Sequence, residues 1–158
     1  MPAGRVQAAM GSGRNVTPYN CYVSGTIEDS FTDGDGSIMQ RATEAATTLR
    51  MGGGIGYDFS TLRPQGAPVK GVESFSSGPL TFMDVWDAMC KTIMSAGSRR
   101  GAMMATMRCD HPDVMSFIVA KQDSTRLRNF NVSVLCTDDF MEAVANDDPW
   151  DLSFEGKF

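Results

Sequence analysis

Histidine is nearly absent: the 158 residues contain one, His111, and the four cysteines, Cys21, Cys90, Cys109 and Cys136, never fall into a Cys-x-x-Cys or Cys/His spacing. A zinc module and a disulfide framework are therefore not signalled. Basic residues are also in short supply, 14 Lys and Arg against 19 Asp and Glu, for a formal net charge of -5. Such a balance argues against a broad basic face for nucleic acid, while leaving room for a local anion pocket. No window approaches the roughly 18 uninterrupted apolar residues of a membrane span, and "MPAGRVQAAMGSGR" lacks the apolar centre of a secretory signal. The expected setting is the cytoplasm, with no membrane and no nucleic-acid partner.

What is present is an ordinary globular composition, 42% hydrophobic and 21% charged, at a length that suits one domain. Twelve methionines read as core filler. Residues 1–18 lack a clear period and read as a loop or arm. "YNCYVSGTI" (19–27) has the aromatic and β-branched content of a strand, and the acidic turn after it places Ser37 to cap a helix over "IMQRATEAATTLRM". Ile38, Ala42, Ala45 or Ala46 and Leu49 recur there at helical spacing. "GIGYDFSTL" predicts a second strand, and "RPQGAPVKGVESFSSGP" a long loop with at most a small hairpin. The helix in "SGPLTFMDVWDAMCKTIMSAG" carries a stripe of Phe82, Val85, Trp86, Met89, Ile93 and Met94.

A third strand follows in "SRRGAMMATM", then a short helix in "HPDVMSFIVAKQ" with Pro112 at its first turn, a fourth strand in "LRNFNVSVLCT", a helix in "DDFMEAVAND" and a last short strand in "WDLSFEG". Alternation of strand and helix predicts an α/β fold, its strands largely parallel and joined by crossover helices.

Several sites admit two readings each. Gly52, Gly53 and Gly54 can end a helix with positive φ and pack tightly, or press bare backbone against a ligand. The order helix, glycines, strand is not that of the dinucleotide fingerprint, and no Gly-Lys-Ser/Thr follows. Arg63, and Arg99 with Arg100 in "GSRRG", offer planar forks suited to phosphate, or form salt-bridged turns. Asp29 and Ser30 can meet a ribose or cap a helix. By spacing alone Cys21 reads as a buried structural thiol, as do Cys90 and Cys136. Nothing in the sequence pairs His111 with a nucleophile.

Taken in order, "NCYVSGTIEDSF", "LRMGGGIGYDFSTLRPQGAPVKG", "SSGPLTFMDVWDAMCKTIMSAGSRRGAMMATM", "HPDVMSFIVAKQ" and "LRNFNVSV" closely resemble the catalytic subunit of ribonucleotide reductases. The wording is most similar to the class II, adenosylcobalamin-dependent branch. The resemblance implies a ten-stranded α/β barrel of two parallel halves, of which residues 1–158 would supply most of the first. It also implies that Cys21 is one of two thiols that reduce a ribonucleotide by closing a disulfide, later reopened by a thioredoxin-like reductant. That overturns the structural reading of Cys21.

The family's radical cysteine lies in an Asn-Pro-Cys-Gly-Glu loop, and no such run occurs here. The expectation is a piece of a larger subunit, inactive without the remainder, with adenosylcobalamin needed by the full enzyme and not held by this part alone. By the same resemblance Asn20, Gly53 and Gly54 would line the substrate. Asp29, Ser30, Phe31, Arg63 and Lys70 would bind a deoxynucleoside triphosphate effector, and Ser98, Arg99, Arg100 and Gly101 would form the specificity loop. Helices 37–51 and 79–96 would build a homodimer. The competing expectation is a nucleotide-binding regulatory or dimerisation module without chemistry of its own.

Overall fold

Alternation along the strands decides how the layers stack. The computed structural model describes residues 4–69, 71, 73–93 and 101–154. Its elements are α1 (Gly4–Ala9), β1 (Cys21–Val23), α2 (Ile38–Arg50), β2 (Gly54–Asp58), β3 (Pro68–Val69), β4 (Ser74–Phe75), α3 (Pro79–Thr92), β5 (Met103–Arg108), α4 (Val114–Val119), β6 (Phe130–Leu135) and α5 (Asp138–Asn146). Four strands form one sheet in the order β1-β2-β5-β6. All three pairings are parallel, in the register Cys21 to Gly54, Gly56 to Met104 and Met104 to Asn131. The remaining two form a small antiparallel hairpin inside the long loop.

Successive side chains on a strand point to opposite faces. Ile55 and Tyr57 of β2, Met103, Ala105 and Met107 of β5 and Phe130 of β6 all enter the core, where Ile38, Ala42, Ala45 and Leu49 of α2 meet Leu80, Met83, Trp86 and Cys90 of α3. Val114 and Phe117 bring in α4. Trp86 is the largest fully buried side chain. Its ring lies edge-on to Tyr57 at 6.0 Å and Phe59 at 5.8 Å, and Phe59 continues to Phe130 at 6.1 Å. Edge-to-face pairs at this spacing add to the burial of apolar area. The helices thus cover one face of the sheet.

Local structure departs from the sequence expectation in several places. The opening arm contains a helical turn and a half, Gly4–Ala9, tied down by Arg5, which donates to the carbonyl of Gly52. Ser37 occupies the N-cap position of α2 but makes no side-chain cap bond. The free N–H groups of Ile38 and Met39 donate to the carbonyls of Ser30 and Phe31 at 2.9 and 3.0 Å, so the preceding loop does the capping. On α3 the buried row is Leu80, Met83, Trp86 and Cys90, while Val85 is 47% exposed. A row from two adjacent ridges faces the sheet, and Val85 lies outside it. The helix ends at Thr92, with Ile93 extended; residues 94–97 lie outside the described residues. Residues 150–154 form no strand, the rest of that expected element lying beyond the described residues. No described helix is long and apolar enough to cross a membrane.

Replacing Trp86 with alanine removes the side chain on which both layers close. The expected loss is about 3–5 kcal/mol, the range for a large aromatic taken from a core, read as a lower midpoint in urea denaturation.

Candidate functional site

The face turned away from the helices carries a different set of side chains. Cys21 and Val23 of β1, Gly54, Gly56 and Asp58 of β2, Met104, Thr106 and Arg108 of β5, and Asn131, Ser133 and Leu135 of β6 are all exposed or half-buried. Val23 is 94% exposed. A parallel sheet ordinarily has both faces covered, so a bare face is one to which something else belongs. A cleft of about 280 Å³ runs over it, lined by Val23, Gly56, Asp58, Met104 and Thr106.

Cys21 opens this face, and its thiol is exposed. The reading from spacing, a buried thiol, is corrected: strand alternation sends Tyr22 toward the core and Cys21 away from it. Gly54 is its register partner, and a β-carbon placed on Gly54 would lie 3.5 Å from the Cys21 Sγ and 3.0 Å from the carbonyl of Ala102. The carbonyl of Asn20 accepts from the Gly54 N–H at 2.7 Å. Absence of a side chain at Gly54 thus leaves the thiol unscreened beside bare backbone.

The three glycines have three separate causes. Only Gly52 takes positive φ, at 79°, and it ends α2 by donating to the carbonyl of Leu49 at 2.9 Å. The expected positive φ at Gly53 and Gly54 is not found. A β-carbon on Gly53 would sit 2.8 Å from the Tyr22 ring and 3.1 Å from Thr48, so packing within the chain occupies that space. Gly101 is similar: a β-carbon there would lie 2.8 Å from the Cys90 Sγ and 3.0 Å from Leu49.

Arg63 and Asp29, 34 residues apart, meet in a salt bridge of 2.7 Å between Nε and Oδ2. The Arg63 N–H also donates to Asp29 Oδ1 at 3.3 Å, and its Nη1 and Nη2 donate to the carbonyls of Pro68 and Asp29. Among the described residues these contacts engage three of the five guanidinium N–H groups. Ser30 lies beside Asp29, lining a cleft of about 560 Å³ with Glu28, Asp33 and Asp35. Phe31 is 59% exposed and tilts against Phe82 at 6.3 Å. Lys70, Ser98, Arg99 and Arg100 lie outside the described residues.

Other contacts had no visible signal. Ser60 is buried, donates to Asp58 Oδ1 and accepts the N–H of Arg108 at 2.8 Å, tying the ends of β2 and β5. Asp84 on α3 holds Arg126 through a fork of 3.0 and 2.7 Å, and Asp87 receives the N–H of Asn129 at 2.8 Å. Such partners stand 42 to 48 residues apart, beyond any local pattern. The row on the bare face left a fainter trace: small and polar residues alternate with apolar ones in "FNVSVL".

A parallel sheet with helices on one side and a row of small, polar and thiol-bearing residues on the other is a segment of an α/β barrel seen from its interior. The barrel-domain model of the ribonucleotide reductases matches residues 20–157, and the chain belongs to that family. It is 39% identical over 133 residues to a vitamin B12-dependent ribonucleoside-diphosphate reductase of Thermoplasma acidophilum, covering 84% of this chain and 17% of that protein. A reductase of the same name from Mycobacterium tuberculosis is 42% identical over 125 residues, covering 78% of this chain and 17% of its own length. The alpha subunit of the class Id ribonucleotide reductase of Actinobacillus ureae superposes with a TM-score of 0.75 at 23% identity, over 92% of this chain and 25% of that one. That likeness shows the fold. The chain spans about a sixth of the two reductases.

The cysteines divide by position. Cys90 and Cys109 are buried, whereas Cys136, expected in the core, is exposed one residue past the end of β6. Burial, and then the charge of Asp87, push the Cys90 thiol up to about 11. Iodoacetamide at pH 8 should therefore label Cys21 and Cys136 in the native protein, with Cys90 and Cys109 labelled only after denaturation. Peptide mapping checks this; native labelling of Cys90 would contradict the described packing.

Proposed function

We propose that this chain is the part of a ribonucleotide reductase large subunit that presents one reducing thiol, Cys21, to a ribonucleotide and holds the site for a deoxynucleoside triphosphate effector. The observation that carries the reading is the thiol of Cys21 standing exposed on the bare face beside Gly54. In the reduction the C2′–OH bond breaks, water leaves with the hydroxyl oxygen, and a C2′–H bond forms. The two electrons come from two thiols that close a disulfide, of which Cys21 is one. The second thiol and the radical-bearing residue belong to other parts of the subunit, and a thioredoxin-like partner in the cytoplasm reopens the disulfide. Asn20 and Gly54 border the substrate; Gly53 supports them indirectly by seating Tyr22 beneath Cys21.

Beyond the end of β2, Asp29 would accept from the effector ribose and Arg63 would donate to the phosphates, with Ser30, Phe31 and Lys70 as further effector contacts. Ser98 to Gly101 would relay effector identity to the substrate as a shift between loop conformations. The exposed Phe31 and Val85, on and beside α2 and α3, give those helices apolar surface for a dimer.

Adenosylcobalamin would supply the radical when bound to the complete enzyme. The donor set here does not fit a cobalt ligand: the sole imidazole, His111, is buried with both ring nitrogens engaged, and the described residues contain no cluster of three or more metal-binding side chains.

Calorimetry of the intact protein with deoxynucleoside triphosphates tests the effector site. Arg63→Ala should weaken binding by about tenfold or more, the scale of a lost charge-assisted hydrogen bond. Absence of binding by a folded wild-type dimer would remove the effector assignment. Cys21→Ser should abolish multiple turnover with a dithiol reductant yet leave nucleotide affinity within about twofold, the mark of a residue used in chemistry alone.

A further inference from the structure

We propose that His111 is a positioning residue, whose neutral Nε2–H form ties the backbone around Arg63 to the turn after β5 and so sets the Asp29–Arg63 pair. The proposal rests on the reading of that pair as the effector site.

His111 is 2% exposed. Its Nε2 lies 2.9 Å from the carbonyl oxygen of Leu62, an atom that can only accept, so Nε2 carries the proton. Nδ1 lies 3.0 Å from the backbone N–H of Asp113, a group that can only donate, so Nδ1 is bare. Both contacts demand the same neutral tautomer. Two residues on, Asp113 Oδ2 accepts from the N–H of Gln65 at 2.8 Å. One turn thus grips the chain at Leu62 and at Gln65, on either side of Arg63 and Pro64.

Between these grips, Arg63 reaches Asp29 with its Nε and its backbone N–H. Thr61 donates to the carbonyl of Ile27 at 2.7 Å, holding the loop before Asp29 to the same segment. Gly78, the N-cap of α3, sits directly against the clamp: a β-carbon there would lie 3.0 Å from Asp113 Oδ2 and 3.1 Å from the N of Gln65. The ring of Phe154 closes over His111 edge-on at 5.5 Å. Leu62 before Arg63 and Ala67 after it are buried in apolar surroundings, whereas the guanidinium itself is held by polar contacts. The direction of its fork thus depends on how these ties place the backbone at Leu62 and Gln65. A small misplacement of such a group is costly to recognition.

The test is a pair of variants in the intact protein. His111→Gln keeps an N–H donor near the position of Nε2, whereas His111→Asn places its amide near Nδ1 and cannot reach Leu62. Hydrogen exchange read on peptides spanning 59–66 should speed up in His111→Asn and stay near wild type in His111→Gln, without any nucleotide present. Calorimetry with deoxynucleoside triphosphates should show about tenfold weaker binding in His111→Asn, the effect of one lost hydrogen bond to a buried carbonyl, with rescue in His111→Gln. Unchanged exchange or unchanged affinity in His111→Asn overturns the proposal. Should that variant fail to fold, Asp113→Ala removes the grip on Gln65 alone, and unchanged affinity in it is equally decisive. A wild-type protein that binds no nucleotide overturns the effector reading, a result distinct from normal binding by the variants.

Discussion

Trp86 has no exposed surface, and the edges of Tyr57 and Phe59 meet it from β2 and the turn beyond. This contact joins helix layer to sheet, and the rest of the molecule depends on which residues it commits to the inside. Once Tyr57 points toward Trp86, the period of two along β2 sends Gly54, Gly56 and Asp58 to the opposite side. Parallel register then carries the same division to β1 and β5, and from β5 to β6. The bare face, with Cys21 at its edge, is the complement of the aromatic core.

A second kind of constraint works at the strand ends, where apolar packing gives way to single polar bonds over long sequence distances. Ser60 joins β2 to β5, Asp29 joins Arg63, and the pair His111 and Asp113 holds Leu62 and Gln65. Buried donors and acceptors left without partners cost more than the bonds gain, so such a network is committed to one geometry. The loops that carry charged groups are thereby fixed relative to a sheet that positions a thiol. The thiol face and the charged loop share a short piece of chain because β1 pairs with β2 and the Arg63 segment follows β2.

Much of this was legible in the residues. Helical spacing of Ile38, Ala42 and Leu49 found the buried side of α2, packing choosing Ala45 over Ala46, and the alternation of strand and helix found a parallel α/β sheet. The long loop was legible as such, with room for the small hairpin that it contains. The ordered run of motifs alone points to the ribonucleotide reductases, which no periodicity could do. Where expectation failed, a nonlocal partner was the cause. Ser37 loses its capping role to the carbonyls of Ser30 and Phe31, and the thiol of Cys21 turns outward because Tyr22 packs on the core.

Periodicity, composition and motif order are local properties, and they determined the class of fold, the acidic character of the chain, and the family. Tertiary structure alone decided that Cys21 is exposed, since the side to which a three-residue strand turns its thiol depends on what covers the other side. It alone decided that Asp29 and Arg63 are joined, and that the single histidine, bonded locally to the N–H of Asp113, also spans 49 residues to hold Leu62. Hydrogen bonds between distant segments leave no period in the sequence, because each requires only one suitable atom at each end.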